Sequence, residues 1–288
     1  MTYQRVGVVT GANKGIGLAI VRQLALQYPK SPYNNGPLLI YLTARDKGRG
    51  EQAVKDIEGD AQLKKAKALS SDGGLSDVRY HQLDISETKS IQDFAAYLKK
   101  EHPDGIDFAI NNAGIALQGF DVEVVKNTLG CNYYGTLEAT QEFLPLIKDG
   151  GRLVNVTSTA GKLSKYSSEL QERFRSAKEV NDVTKLMEDF TAAVEAGNEK
   201  EQGWTSAAYA ASKAGATIMS RAIAEKHRAS GSKTLINACC PGYVNTDMTR
   251  GAGTKIPDQG AQTPVMLAIS DIQGQNGLFW KSEKPEEF

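Results

Sequence analysis

Cysteine and histidine are scarce, three of each in 288 residues. Cys131, Cys239 and Cys240 are too few for a disulfide framework, which points to a reducing compartment. His81, His102 and His227 have no companions at metal-ligand spacing, so no metal site is expected. An excess of one charge is also missing: Lys plus Arg and Asp plus Glu number 34 each. That balance removes any global electrostatic argument for nucleic acid or an anionic membrane. No apolar run reaches the ~18 residues that a membrane span needs. Met1–Arg5 leads straight into an apolar strand without the charged-then-apolar pattern of a signal peptide, and Lys284–Phe288 carries no address or lipidation signal. A cytoplasmic location is expected. Internal repeats and low-complexity linkers are absent as well. With 40% hydrophobic and 24% charged residues, the chain reads as one soluble domain over 1–288, large enough for a sizeable core.

Beta-branched, apolar segments recur along the chain. Val6–Thr10, Leu38–Ala44, Asp77–Leu83, Ile106–Ile110, Gly151–Thr157, Thr234–Cys240 and Gly277–Trp280 suit strands buried on both faces. Helical patterns separate most of them. One spans Leu18–Gln27. Another, Glu87–Lys100, sets Ile91, Phe94, Ala95 and Leu98 at helical spacing. A long helix is expected over Val122–Ile147, and a short one over Thr263–Ser270. Repeated βα units imply an α/β, doubly wound Rossmann-type sheet of seven parallel strands with helices on both faces. Residues 163–203 interrupt the rhythm with two helical patterns, Ser167–Ala177 and Val180–Ala196. Residues 247–260, rich in Gly and Thr, are expected as a mobile loop.

Between the first strand and helix lies Gly11-Ala-Asn-Lys-Gly15-Ile-Gly17. Glycine lets the backbone turn tightly and approach a pyrophosphate, and a helix N-terminus offers free N–H groups and a positive dipole end. The second strand ends in Arg45. An NAD site places Asp or Glu there, on the ribose 2′-hydroxyl. Arg45 and Lys14 instead form a cation pair suited to a 2′-phosphate, so NADP(H) is expected over NAD(H). Asp46 reads as the N-cap of the next helix. Asp84 and Ile85 follow the third strand, and Asn111-Asn112-Ala113-Gly114 ends the fourth. Ser158 follows the fifth. Asn132 sits in the middle of a helix pattern, where Asn competes for backbone hydrogen bonds, and marks a local irregularity.

Tyr209-Ala-Ala-Ser-Lys213 then stands out, because residues four apart share one helix face. A phenol titrates near ~10, and a fixed ammonium beside it favours the phenolate. Such a pair is expected to donate a proton near neutral pH. The plain alternative is a partly buried aromatic next to a solvated amine.

Taken together, these motifs resemble the short-chain dehydrogenase/reductase family. The matching residues are Thr10–Gly17, Asn111-Asn112-Ala113-Gly114, Asn132, Ser158, Tyr209-x-x-x-Lys213 and Pro241-Gly242. Asn13–Arg22, Leu42–Asp46, Leu144–Lys148 and Asn237–Gly242 look like the monomeric NADPH-dependent carbonyl reductases within it. So does the 51-residue spacing from Ser158 to Tyr209, which implies a helical insertion over about 163–203 that covers a tetramer face and keeps the chain monomeric. Tyr243 stands where Trp is expected, and the segment between Gly114 and Asn132 is shorter than the subgroup's.

The resemblance implies NADPH-dependent reduction of a ketone, aldehyde or quinone, with Tyr209 as proton donor. Ser158 would orient the carbonyl oxygen. Lys213 would lower the Tyr209 pKa and bond the nicotinamide ribose, and Asn132 would hold a relay water. Gly11, Asn13, Lys14, Gly15, Ile16 and Gly17 would cradle phosphates, and Lys14 with Arg45 the 2′-phosphate. Asp84 and Ile85 would flank adenine, while Asn112, Val244 and Thr246 would approach the ribose and nicotinamide. Two rivals stand beside this: an NADP-dependent alcohol dehydrogenase of a dedicated metabolite, and a non-catalytic NADP-binding regulator.

Overall fold

The computed structural model describes Tyr3–Phe288. Its centre is one sheet ordered β3-β2-β1-β4-β5-β6-β7-β8. The strands are β1 (Arg5–Val9), β2 (Leu38–Ala44), β3 (Ser76–Gln82), β4 (Ile106–Asn111), β5 (Ile147–Val156), β6 (Leu235–Cys240), β7 (Phe279–Lys281) and β8 (Lys284–Pro285). The first seven pair in parallel. The expectation of seven strands is corrected to eight, because residues 282–283 turn the chain back and β8 pairs antiparallel with β7. A two-residue edge strand has no hydrophobic pattern to betray it.

β2 shows why the strands read as continuous apolar runs. All seven of its residues are buried. Leu39 and Tyr41 enter one core cluster, while Leu38, Ile40 and Leu42 enter the other across the sheet. Successive side chains point to opposite faces, so a strand covered by helices on both sides must be apolar throughout.

Helices α1 (Gly15–Gln27), α2 (Lys47–Gly59), α3 (Ala61–Ala66) and α4 (Thr88–Glu101) follow the first three strands. Asp46 caps α2, its carboxylate accepting from Arg49 N at 2.8 Å. α4 buries Ile91, Phe94, Ala95 and Leu98, the stripe its spacing predicts. The expected helix 122–147 is not continuous. It comprises α5 (Val122–Leu129), a π-helical turn at Gly130–Gly135 and α6 (Thr136–Phe143), and Ile147 already begins β5. Asn132 lies inside the π turn. Gly135 lets that turn pack on the sheet edge, since a Cβ there would lie 2.1 Å from the Ile85 carbonyl oxygen.

Residues 163–203 hold α7 (Ser168–Ser176) and α8 (Val180–Glu195). α8 packs on α5 and on α9 (Ala208–Ala229). Tyr166, Phe174, Phe190 and Trp204 pack as a ring cluster beneath α7 and α8, with neighbouring centroids 5.2–5.9 Å apart. α10 (Pro257–Ile269) starts six residues before the expected Thr263. Pro257 suits a first helical position, where its missing N–H costs nothing, so 257–260 are helix rather than loop. Among the described residues no helix is long and apolar enough to cross a membrane.

Candidate active site

Strand order reverses between β1 and β4: β2 and β3 lie on one side, β5 and β6 on the other. Open α/β sheets bind ligands at the carboxyl ends of their strands at such a switch point. The glycine turn after β1 sits there. Gly11 and Gly15 have φ of +61° and +57°, left-handed values that disfavour a side chain. A Cβ on Gly17 would lie 2.3 Å from the Gly11 carbonyl, so α1 meets the turn without clearance. Asn13 and Ile16 are half-buried in this turn, and exposed Lys14 directly precedes α1.

Asn112 braces the turn from β4. Its amide donates to Thr10 O at 3.0 Å and Gly11 O at 3.2 Å, while its backbone N–H donates to Thr10 Oγ1 at 3.0 Å. Its side-chain donors therefore serve the loop's own carbonyls. Arg45 follows β2, exposed and without a carboxylate within 4 Å among the described residues. Lys14 is different, because its ammonium donates to Asp247 Oδ2 at 2.6 Å, beyond β6. Asp84 accepts from the Ser86 N–H and hydroxyl. Ile85 is buried beneath the π turn. Val244 is buried and bridges to Lys255, and Thr246 lies beside Gly15.

The second half of the site forms around α9. Tyr209 and Lys213 share one face, with the Lys213 Nζ 5.7 Å from the centre of the Tyr209 ring. Lys213 is only 5% exposed and donates to Val156 O at 3.0 Å, at the end of β5. No carboxylate pairs with it among the described residues. Ser158, two residues beyond that carbonyl, is brought near the Tyr209 phenol, where its hydroxyl favours the ionised form of the phenol, and its Oγ accepts from Ala160 N at 3.1 Å. Asn132 is wholly buried. Its amide donates to Ile115 O at 2.8 Å and Ser212 Oγ at 3.1 Å, and its Oδ1 accepts from Ile115 N at 2.8 Å. The π turn thus aims Asn132 at the strand-end loop after β4.

Electrostatics in this cleft are ruled by burial. Desolvation, with a smaller push from Cys240, raises the Tyr209 phenol to about 12, and only the nearby Ser158 hydroxyl opposes it. Lys213 is driven down to about 8 by the same cause, its charge having exchanged water for one carbonyl. The expected lowering of Tyr209 by Lys213 does not set its direction here: burial is the largest cause and raises the phenol, while the Lys213 ammonium lies 5.7 Å from the ring centre. Near neutral pH the phenol is protonated and the amine mostly so. The arrangement can give a proton to an oxygen that gains negative charge between Ser158 and Tyr209.

Three contributors were given no site role from sequence. Thr10 Oγ1 accepts from both Asn112 N and Ala113 N. Gly114 separates Asn132 from Lys213, since a Cβ there would lie 3.0 Å from Asn132 Oδ1 and 3.5 Å from Lys213 Nζ. Asp247 reaches the glycine turn from across the sheet. The first two lie inside motifs and could have been found there. Asp247 had no such signal, because an acidic residue in an irregular loop looks like any solvated one.

The donor set fits a polyanionic dinucleotide. Left-handed glycines clear the approach to the α1 N-terminus, Arg45 has no carboxylate partner, and a buried ammonium faces the cleft. Comparison with known proteins agrees. The family described as short chain dehydrogenase matches residues 5–179 and 191–256. Carbonyl reductase (NADPH) 1 of Sus scrofa is 40% identical over 99% of this chain and 94% of its own length. The protein of that name from Homo sapiens is 39% identical over 98% of both chains. Among solved structures, salutaridine reductase from Papaver somniferum superposes with a TM-score of 0.81 at 25% identity, covering 96% of this chain and 99% of that one. Menthone neomenthol reductase from Mentha piperita gives 0.76 at 26% identity, covering 99% and 100%. Likeness of that extent, on a sheet whose switch point already gathers the glycine turn and the Tyr209–Lys213 face, means that the chain belongs to the short-chain dehydrogenase/reductase family.

Proposed function

We propose that this protein reduces ketone, aldehyde or quinone carbonyls to alcohols with NADPH. The observation that carries the reading is the convergence of Ser158, Tyr209 and Lys213 at the carboxyl edge of the sheet, beside a glycine turn flanked by Lys14 and Arg45. The near-full-length identity with NADPH carbonyl reductases supports it.

The bound cofactor supplies the hydride. The chain's own residues do the rest. Ser158 Oγ donates to the carbonyl oxygen and fixes its direction. The Tyr209 phenol, still protonated because burial raises its pKa, gives its proton to the alkoxide as it forms. Lys213, held by Val156 O, keeps a positive charge near that oxygen and has donors left for a ribose hydroxyl. Asn132 holds the Ile115 backbone in place and supports a solvent relay to Lys213. Gly11, Asn13, Gly15, Ile16 and Gly17 receive the pyrophosphate, and Arg45 with Lys14 the 2′-phosphate. Asp84 and Ile85 border the adenine, and Asn112, Val244 and Thr246 the nicotinamide end.

Residues 1–288 act as one cytoplasmic domain in this reading, with α7 and α8 as an insertion ahead of Tyr209. The packing of α8 on α5 and α9 supports a monomer, because it covers helices that would otherwise be open to a second copy. Loss of NADPH absorbance with a simple quinone or diketone tests the activity. Tyr209→Phe should lower kcat by about 10²–10⁴-fold, the range of general acid catalysis, while NADPH still binds. Near-full activity in that variant would remove the acid assignment.

A further inference from the structure

Lys14 and Arg45 are the two cations of the nucleotide turn, yet they are placed differently. Arg45 follows β2 and has no carboxylate partner among the described residues. The Lys14 ammonium lies 2.6 Å from Asp247 Oδ2. In the sheet order β2-β1-β4-β5-β6, Arg45 is on the β2 side of the turn and Asp247 is beyond β6. Asp247 therefore draws Lys14 away from Arg45.

Asp247 is held there. It opens a 3-10 turn at Asp247–Thr249. Thr249 Oγ1 accepts from Thr246 N at 3.0 Å and donates to Val244 O at 2.7 Å. Asn245 N donates to Lys255 O at 2.8 Å, which closes the loop on itself. The loop also touches the glycine turn, since a Cβ on Gly15 would meet Thr246 Cγ2 at 3.4 Å.

We propose that Asp247 is a cofactor-selectivity residue, which competes with a 2′-phosphate for Lys14 and so limits the preference for NADPH over NADH. The proposal rests on the NADPH reading above. A 2′-phosphate beside Arg45 must recruit Lys14 from Asp247 before both cations can serve it. NADH carries only a neutral 2′-hydroxyl at that position and gains little from the recruitment. Lys14 and Asp247 are 60% and 79% exposed, so their attraction is modest and screened by salt. The effect belongs in the range of a few-fold and not in orders of magnitude.

The test is the dissociation constant of NADPH and of NADH, read by nucleotide fluorescence, for the wild type, Asp247→Asn, Lys14→Met and the double variant. Asp247→Asn should raise the NADPH-over-NADH affinity ratio by about two- to fivefold. The rise should shrink in about 1 M salt, where the screening length is ~3 Å, and vanish in the Lys14→Met background. An unchanged ratio, or one that rises equally without Lys14, overturns the proposal. A wild type without any preference for NADPH defeats the cofactor reading itself, and the role of Asp247 with it.

Discussion

Burial sets the proton affinities of Tyr209 and Lys213 more than their contact with each other does, and this has measurable consequences. The Lys213 amine titrates at about 8 instead of 10.5. Between those values the unfolded chain binds more protons than the folded one, so this group's contribution to stability rises from pH 8 to 10.5. Tyr209 acts in the opposite sense. Its phenol ionises at about 12 when folded against 10 unfolded, so its contribution falls as pH rises through that interval. Catalysis should feel the amine first. Carbonyl reduction is expected to decline as pH rises through about 8, while the phenol stays protonated. A pH profile of kcat/KM checks this: an alkaline limb that begins only above about pH 10 would mean that Lys213 keeps its proton and the phenol is the group that titrates.

Among the elements, the π turn at Gly130–Gly135 ties the substrate side of the site to the sheet. Asn132 is presented by that turn, and Gly135 allows it to lie against Ile85. Gly135→Ala would set a methyl group 2.1 Å from a backbone oxygen. The turn must then move, at a cost of about 1–3 kcal/mol typical of overpacking. Chemical denaturation would measure that loss. Activity should fall further than stability, because Asn132 moves with the turn. A variant as active and as stable as the wild type would mean that the turn yields freely. The irregularity was legible in one residue, since Asn132 is ill suited to a helix interior. Its form was not, because a π turn depends on what the neighbouring turn packs against. For a similar reason α10 begins at Pro257 although its sequence reads as loop. The helix is made by packing on α1 and the sheet, with Pro257 well placed at its first position.

At the scale of the whole molecule, α8 is the element that bears on assembly. It buries Val183, Leu186, Met187, Phe190, Ala193 and Val194 and packs across α5 and α9. Sedimentation should therefore give a single species of 31.1 kDa. A tetramer would show that α8 leaves a usable interface. The two core layers and the identity of most strands follow from local pattern. β2 is almost wholly apolar because it is covered twice, the Thr43 hydroxyl donating to Val9 O, and the glycine turn announces its place between a strand and a helix. Those features depend on neighbours in sequence, so sequence alone determined them, together with the type of residue at each candidate position. Distance and solvation depend on neighbours in space. Only the tertiary structure decided that Ser158, 51 residues before Tyr209, returns to its phenol. The same holds for the desolvation that pushes that phenol up rather than down. It also joined Lys14 to Asp247 across 233 residues, because both loops end at one edge of a parallel sheet.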